Sequence, residues 1–388
     1  MTSLDAMAGL TDEMVALRRH LHANPEIGLE EYNTSALVAK LLDEWGYEVR
    51  TGYGKTGVVG TLRNGTGNRA IGIRADMDAL PIVEETGLDY ASKIKGVMHA
   101  CGHDGHTAML LAAAKHLSAN KNFDGIVHLI FQPAEENVGG AKLMMDDGLF
   151  RDHPCDAVFG MHNMPDIPAG IFGFKHGTLF ANADGFDVTL IGVGGHASTP
   201  DVARDPIVAG SSIVMALQTL VSRNIDPMES GVVTVGVFEA GKASNAIPQT
   251  AHLTVDARAF TPEMAAYFRR RIPEIIRAQA TGFEIDAKIE PLTGYPVLVN
   301  DPAMTDFARA LAVKTVGEDR VIDLKRPYTG AEDFSYMLEN IPGSYLVMGS
   351  ERPGAKALHH PGYDFNDDVL MTGAAFWVDL VGDFLKPE

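Results

Sequence analysis

Cysteine is scarce in this sequence: Cys101 and Cys155 are the only two in 388 residues. That rules out a disulfide framework and fits a reducing cytoplasm. Positive charge is also short, with 32 Lys and Arg against 51 Asp and Glu and a formal net charge of −19. A surface of that sign excludes nucleic acid or an anionic membrane as the expected partner. The one basic run, Arg269–Arg271, shares a helical stretch with Glu263 and Glu274 and reads as a solvated helix face. No apolar run approaches 18 residues, so no transmembrane helix is expected. The opening MTSLDAMAGLTDEM carries acids and no apolar signal core, so export is not expected either. What remains, 46% hydrophobic and 21% charged, is an ordinary globular composition with length for one large or two ordinary domains.

The N-terminal third alternates helix and strand. DEMVALRRHLHANP has helical spacing and stops at Pro25, and His20 and His22 on it read as surface or core residues. RAIGIRADMDALP is a short apolar strand breaking into Asp76 and Asp78. DGHTAMLLAAAKHL is a helix with Asp104 as its expected N-cap, GIVHLIFQPAEE a strand ending in Glu135 and Glu136, and AVFGMHNMP a strand ending in His162. Alternation of this kind predicts a mainly parallel sheet covered on both faces. Between about residues 182 and 293 the order becomes β-α-β-β-α-β, the ferredoxin-like pattern, which predicts a compact insert within a discontinuous domain formed by 1–181 and 294–388.

In open α/β sheets, sites form beyond the carboxyl ends of strands, and here those ends carry acids and imidazoles. MHACGHDGH, residues 98–106, sets a thiol and three imidazoles in nine positions just before a helix. A Cys-x-His step suits a borderline or soft metal ion, or a cysteine nucleophile with a base nearby. The nucleophile reading leaves Glu135, Glu136 and His162 unexplained. The metal reading uses Cys101, His103, Glu136, His162 and either His359 or His360, too many for one tetrahedral ion and suited to two ions about 3.5–4 Å apart. Sulfur and imidazole donors favour Zn²⁺, Mn²⁺, Co²⁺ or Ni²⁺. Asp78 is a candidate to orient His103 from behind. His106, three residues past His103, reads as a local hydrogen-bonding residue. Arg258, on the third strand of the insert, could meet a substrate carboxylate or form a surface ion pair.

Eight segments in order, RADMDALP, MHACGHDGHTAMLL, FQPAEE, GMHNMP, GGHAS, NAIP, GAEDFSY and LHHPGYDFND, resemble the M20 metallopeptidase family, and within it the amidohydrolase branch of hippurate hydrolases, N-acyl-amino-acid amidohydrolases and auxin-conjugate hydrolases. The resemblance implies an α/β metallo-hydrolase domain carrying a ferredoxin-like lid that also serves dimerisation. It implies Cys101 as the ligand shared by two divalent ions, His103 and His162 on one, Glu136 and His359 on the other, and Glu135 as general base. His196 and Asn245 match lid residues that meet the substrate, His196 across a subunit boundary, so a homodimer or homotetramer is expected. The implied reaction is hydrolysis of an N-acyl amino acid to a carboxylic acid and a free amino acid. An exopeptidase or dipeptidase on the same site is the alternative, with a cysteine hydrolase or a silent binding protein further off.

Overall fold

The computed structural model describes residues 2–136 and 138–386. Backbone contacts divide the chain into two compact units, one built from residues up to Leu179, Val299–Arg326 and Asp333 onward, the other from Phe180–Leu298 and Pro327–Glu332.

The first unit is built on an eight-stranded sheet. Its centre is four mutually parallel strands in the order Gly125–Gln132, Ala70–Asp76, Ala157–Met164, Gly343–Gly349. Every residue of these four is buried, as strands covered on both faces require. The sheet is mixed rather than mainly parallel throughout. On one side Gly57–Asn64 and Glu48–Tyr53 join antiparallel, because only three residues link that pair and a connection so short makes a hairpin. On the other side Phe172–Phe174 runs antiparallel to Gly343–Gly349, with Val321–Asp323 parallel beyond it.

Helix His103–Ala119 is buried through its first twelve residues, and Leu370–Phe384 packs on it with Phe376 and Trp377 in the same core. A helix apolar on nearly all sides has to be covered on nearly all sides. Gly105, in its first turn, leaves room for the ring of Phe365, which a Cβ there would strike.

The second unit has the element order β-α-β-β-α-β. Its four strands Gly231–Ala240, Thr250–Ala259, Ala183–Ile191 and Asp286–Tyr295 lie in that spatial order and are antiparallel throughout. Ala183–Ile191 and Thr250–Ala259 alternate buried and half-buried residues, the mark of a sheet with one face packed. Helices Pro206–Asn224 and Pro262–Gly282 cover that face, each with proline in its first turn and a side-chain cap from Asp205 or Thr261. Pro206–Asn224 is long and apolar enough by length and composition to cross a membrane. Its Ala209, Ile213, Leu217 and Leu220 nevertheless belong to the core of this unit with Val188, Leu253 and Phe268, which accounts for its apolar character. The Arg269–Arg271 run lies on helix Pro262–Gly282, where Arg270 and Arg271 pair with Glu274.

In the first unit, His128 is buried on strand Gly125–Gln132 and faces Thr61 Oγ1 at 2.8 Å. Burial, with His153 and Arg63 nearby, pushes it down from 6.5 to about 3. Between those two values the unfolded chain binds a proton that the folded chain refuses, so stability falls as pH drops through that window. Urea titrations should show wild type losing about 3 kcal/mol more than a His128→Gln variant between pH 7 and pH 4. Parallel losses in the two proteins would remove His128 as a source of acid sensitivity.

Candidate metal centre

The four parallel strands end on one side, and the loops leaving them carry the polar groups. Asp78, just past Ala70–Asp76, uses its carboxylate twice. Oδ1 lies 3.1 Å from His103 Nδ1, and Oδ2 accepts the N–H of Glu136 at 3.0 Å. The Asp78 carbonyl also accepts from His103 Nδ1, at 2.9 Å. With Nδ1 donating to Asp78, the other ring nitrogen of His103 points away from Asp78 and becomes a lone-pair donor when an incoming cation displaces its proton. This is the orienting geometry expected of Asp78.

Gly102 joins Cys101 to His103 with φ at 92° and stands at the N-cap of the helix. A side chain there would collide with the amide nitrogen of Asn163, so the turn requires glycine. Asn163 Nδ2 donates to the Cys101 carbonyl at 2.7 Å, while Asn163 Oδ1 accepts from Tyr363 Oη at 2.6 Å and Ser350 Oγ at 3.1 Å. His162, one residue earlier, donates from Nδ1 to the Asn163 carbonyl at 2.7 Å and turns Nε2 to within 3.3 Å of Cys101 Sγ. His359 arrives from a distant loop in a left-handed conformation, φ 64°, with its N–H on the Ala100 carbonyl at 2.8 Å. Its Nε2 lies 3.2 Å from Glu136 Oε1. His360 does not join them: its Nδ1 accepts the N–H of Gly362 at 2.9 Å in a local turn.

Two sets of three residues result, Cys101–His103–His162 and Cys101–Glu136–His359, each with its donor atoms mutually within 4.8 Å. The sulfur belongs to both. Glu135 joins His103 and Glu136 at the same spacing. His103 Nε2 is buried and has no hydrogen-bond partner, which is costly for a polar atom unless something else meets it, and the buried Glu136 Oε1 has His359 Nε2 at 3.2 Å. The local field has one sign. Burial alone would lower His103, yet Asp76, Asp78 and Glu136 raise it to about 10. Burial, Glu136 and Glu135 push the Cys101 thiol well above its ordinary value. Lone pairs of sulfur, nitrogen and oxygen converging in a negative potential fit divalent transition-metal ions.

A second layer holds this set in place. Asp76 accepts from Arg74 Nη1 and stands at the same 2.6 Å from His106 Nδ1. His106 Nε2 in turn accepts the Asn163 N–H at 3.0 Å, so His106 has the local hydrogen-bonding place expected of it. Arg74 also reaches Asp333 Oδ1 at 3.0 Å and Gln132 Oε1 at 2.8 Å. The spacing of Arg74 and Asp76 carried a signal: residues two apart on a strand share a face. Asp104 is not the N-cap of its helix. Its buried carboxylate instead lies 2.8 Å from His22 Nδ1 and 3.4 Å from Arg18 Nη1. Burial works against the charge on His22, but Asp104 and then Glu84 raise it to about 9. His20, two residues away, is exposed.

The remaining expected residues lie in the second unit. His196 is exposed on a two-stranded ribbon, paired with Ala246, and the carbonyl of Asn245 accepts the Ala197 N–H at 3.0 Å. Arg258 donates from Nε and Nη2 to the two oxygens of Asp256, both at 2.9 Å.

Residues 72–383 match the pattern of peptidase family M20/M25/M40, and the chain belongs to that family. Hippurate hydrolase of Campylobacter jejuni is 43% identical to it over 386 residues, covering 100% of both chains. N-acetyl-L-cysteine deacetylase of Bacillus subtilis is 41% identical over 371 residues, 95% of this chain and 88% of that one. A crystal structure from Bacillus subtilis, described as a dinuclear metal binding peptidase of the M20 family, superposes with a TM-score of 0.84 at 31% identity, over 98% of this chain and 99% of the other.

Arg74 donates to Asp76 and Asp333, so Arg74→Leu removes that positive charge from two buried carboxylates, leaving Asp76 its His106 contact and Asp333 its bonds from Gln132 Nε2 and the Ala141 N–H. Chemical denaturation of the metal-free protein should show a loss of about 3–5 kcal/mol. A change under 1 kcal/mol would mean that the remaining partners of the two acids suffice without the arginine.

Proposed function

We propose that this protein is a metal-dependent amidohydrolase that cleaves the amide bond of N-acyl amino acids, hippurate-like compounds among them, to a carboxylic acid and a free amino acid. The reading rests above all on one observation: two sets of three donors share the sulfur of Cys101, with Glu135 beside them. Full-length similarity to a hippurate hydrolase and near-full-length similarity to an N-acetyl-L-cysteine deacetylase give the substrate class.

In this reading Cys101, His103, His162, Glu136 and His359 would hold the divalent ions, with Cys101 belonging to both donor sets. Sulfur and imidazole donors suit Zn²⁺, Mn²⁺, Co²⁺ or Ni²⁺. When bound, such ions supply positive charge that polarises a carbonyl and acidifies water. Glu135 takes a proton from water as the water oxygen attacks the amide carbon. It returns that proton to nitrogen as the C–N bond breaks. Asp78 keeps His103 in the tautomer whose Nε2 is free to ligate. A reducing compartment such as the cytoplasm suits the arrangement, because oxidation of Cys101 would remove the shared donor.

Residues 182–293 serve as lid and dimerisation domain in the same reading. His196 donates to the oxygen that gains charge in the transition state, and Asn245 contacts the substrate beside it. Exposure of His196 on the ribbon and of Asn245 in the turn leading into its second strand supports those roles. The unpaired edge of strand Gly231–Ala240, with Val232, Val237 and Phe238 exposed, supports a homodimer or homotetramer.

Glu135→Gln should keep the wild-type metal content by elemental analysis and lose about 10²–10⁴-fold in kcat. Wild-type turnover in that variant would remove Glu135 from the base role. A panel of hippurate-like acyl amino acids beside dipeptides should give the higher kcat/KM on the acyl amino acids, and a preference for dipeptides would move the assignment to a dipeptidase.

A further inference from the structure

The residue before Glu135 has an unusual backbone. Ala134 is fully buried and left-handed, with φ at 52°, a conformation that non-glycine residues adopt at a cost and keep only where their surroundings impose it. Three contacts impose it here. The Ala134 N–H donates to Glu31 Oε1 at 2.8 Å. Its carbonyl accepts the N–H of Gly140 at 3.0 Å. Gly28 leaves the space it occupies, since a Cβ on Gly28 would stand 3.0 Å from Ala134 Cβ and 3.1 Å from its Cα.

Glu31 is in an unusual place for this task. It is the N-cap residue of helix Tyr32–Glu44, a place where a short polar side chain ordinarily caps the helix, and its own side chain makes no such bond. The side chain, fully buried, crosses to Ala134 with one oxygen and takes the hydroxyl of Thr56 at 2.6 Å with the other. The segment before it is fixed as well, through the Ala79 N–H on the Glu26 carbonyl at 2.8 Å and a backbone bridge from Ile27 to Ala79. Glu135 therefore sits between two pinned peptides. Glu31 holds the peptide that enters Ala134, the Gly140 N–H holds the one between Ala134 and Glu135 through the Ala134 carbonyl, and Asp78 holds the one after Glu135 through the Glu136 N–H at 3.0 Å.

We propose that Glu31 is a positioning residue for the reaction: it clamps the left-handed Ala134 peptide and so aims the carboxylate of Glu135 at the water it deprotonates. The inference rests on the base role of Glu135 stated above. The clamp acts on the proton-transfer step and leaves the metal donors and the substrate contacts in place. Loss of the clamp accordingly lowers kcat and spares KM and metal content.

The test uses the full-length, metal-loaded protein with a hippurate-like substrate. Glu31→Ala should lower kcat roughly 10²-fold, the cost typical of a 1 Å misplacement of a reacting group, with KM within about 3-fold and metal content unchanged. Glu31→Gln, which keeps one acceptor for the Ala134 N–H, should recover most of that loss. Gly28→Ala crowds Ala134 at 3.0–3.1 Å, with Asp78 Oδ2 in ordinary contact at 3.7 Å, while keeping the Glu31 carboxylate, and it should reproduce the kcat defect if Glu31→Ala does not fold. In a Glu135→Gln background, Glu31→Ala should cost nothing further. A multiplicative loss in that double variant, an unchanged kcat in both Glu31→Ala and Gly28→Ala, or equal effects on kcat and KM would overturn the clamp. Full activity in Glu135→Gln alone would instead overturn the base assignment.

Discussion

Negative charge gathered in a dry pocket is the constraint from which the rest of the first unit follows. Asp76, Asp78, Glu135 and Glu136 meet beside the Cys101 thiol where strands end and water is largely excluded. Bringing like charges together in low dielectric is unfavourable unless positive charge compensates them. Arg74 compensates Asp76 and Asp333 from within the protein. At the front of the pocket burial opposes the charge on His103, yet Asp76, Asp78 and Glu136 raise it to about 10. The donors there are arranged for positive charge from outside the chain.

The fold supplies that arrangement cheaply. Four parallel strands deliver their carboxyl ends to one side, so residues far apart in sequence arrive together with no special loop geometry. The exceptions are local and identifiable. Gly102 turns Cys101 and His103 to the same side, and left-handed backbone at Ala134 and His359 brings in Glu135 and the last imidazole. Each strained residue is tied by its own N–H, to Glu31 in one case and to the Ala100 carbonyl in the other. Strain kept at a site in this way marks positions where orientation matters more than local stability.

Much of this was legible in the sequence, for physical reasons that differ from residue to residue. Uninterrupted apolar runs identified the parallel strands, because a strand buried on both faces has no polar side to show. The Cys-x-His step and the strand-end acids could be read because donors close in sequence are close in space. The antiparallel edge was missed, since Glu48–Tyr53 is half exposed and carries little periodicity. Asp104 was misjudged because a first-turn acid is ordinarily a cap or a dipole partner, and its actual partners, His22 and Arg18, lie more than eighty residues away. The bond from Glu31 to Ala134 spans 103 residues, and nothing local in either segment announces it. His359 and His360 are chemically identical, and the backbone bond to Ala100, which the sequence does not encode locally, is what separates them.

X-ray absorption at the metal edge of the zinc-loaded protein tests most directly whether Cys101 and its neighbours hold metal. Sulfur scattering at about 2.3 Å together with nitrogen or oxygen scattering near 2.0–2.2 Å is the expected signature, with the sulfur component lost in Cys101→Ala. A wild-type spectrum containing only light donors, or one unchanged by removal of Cys101, would contradict a centre built on that sulfur.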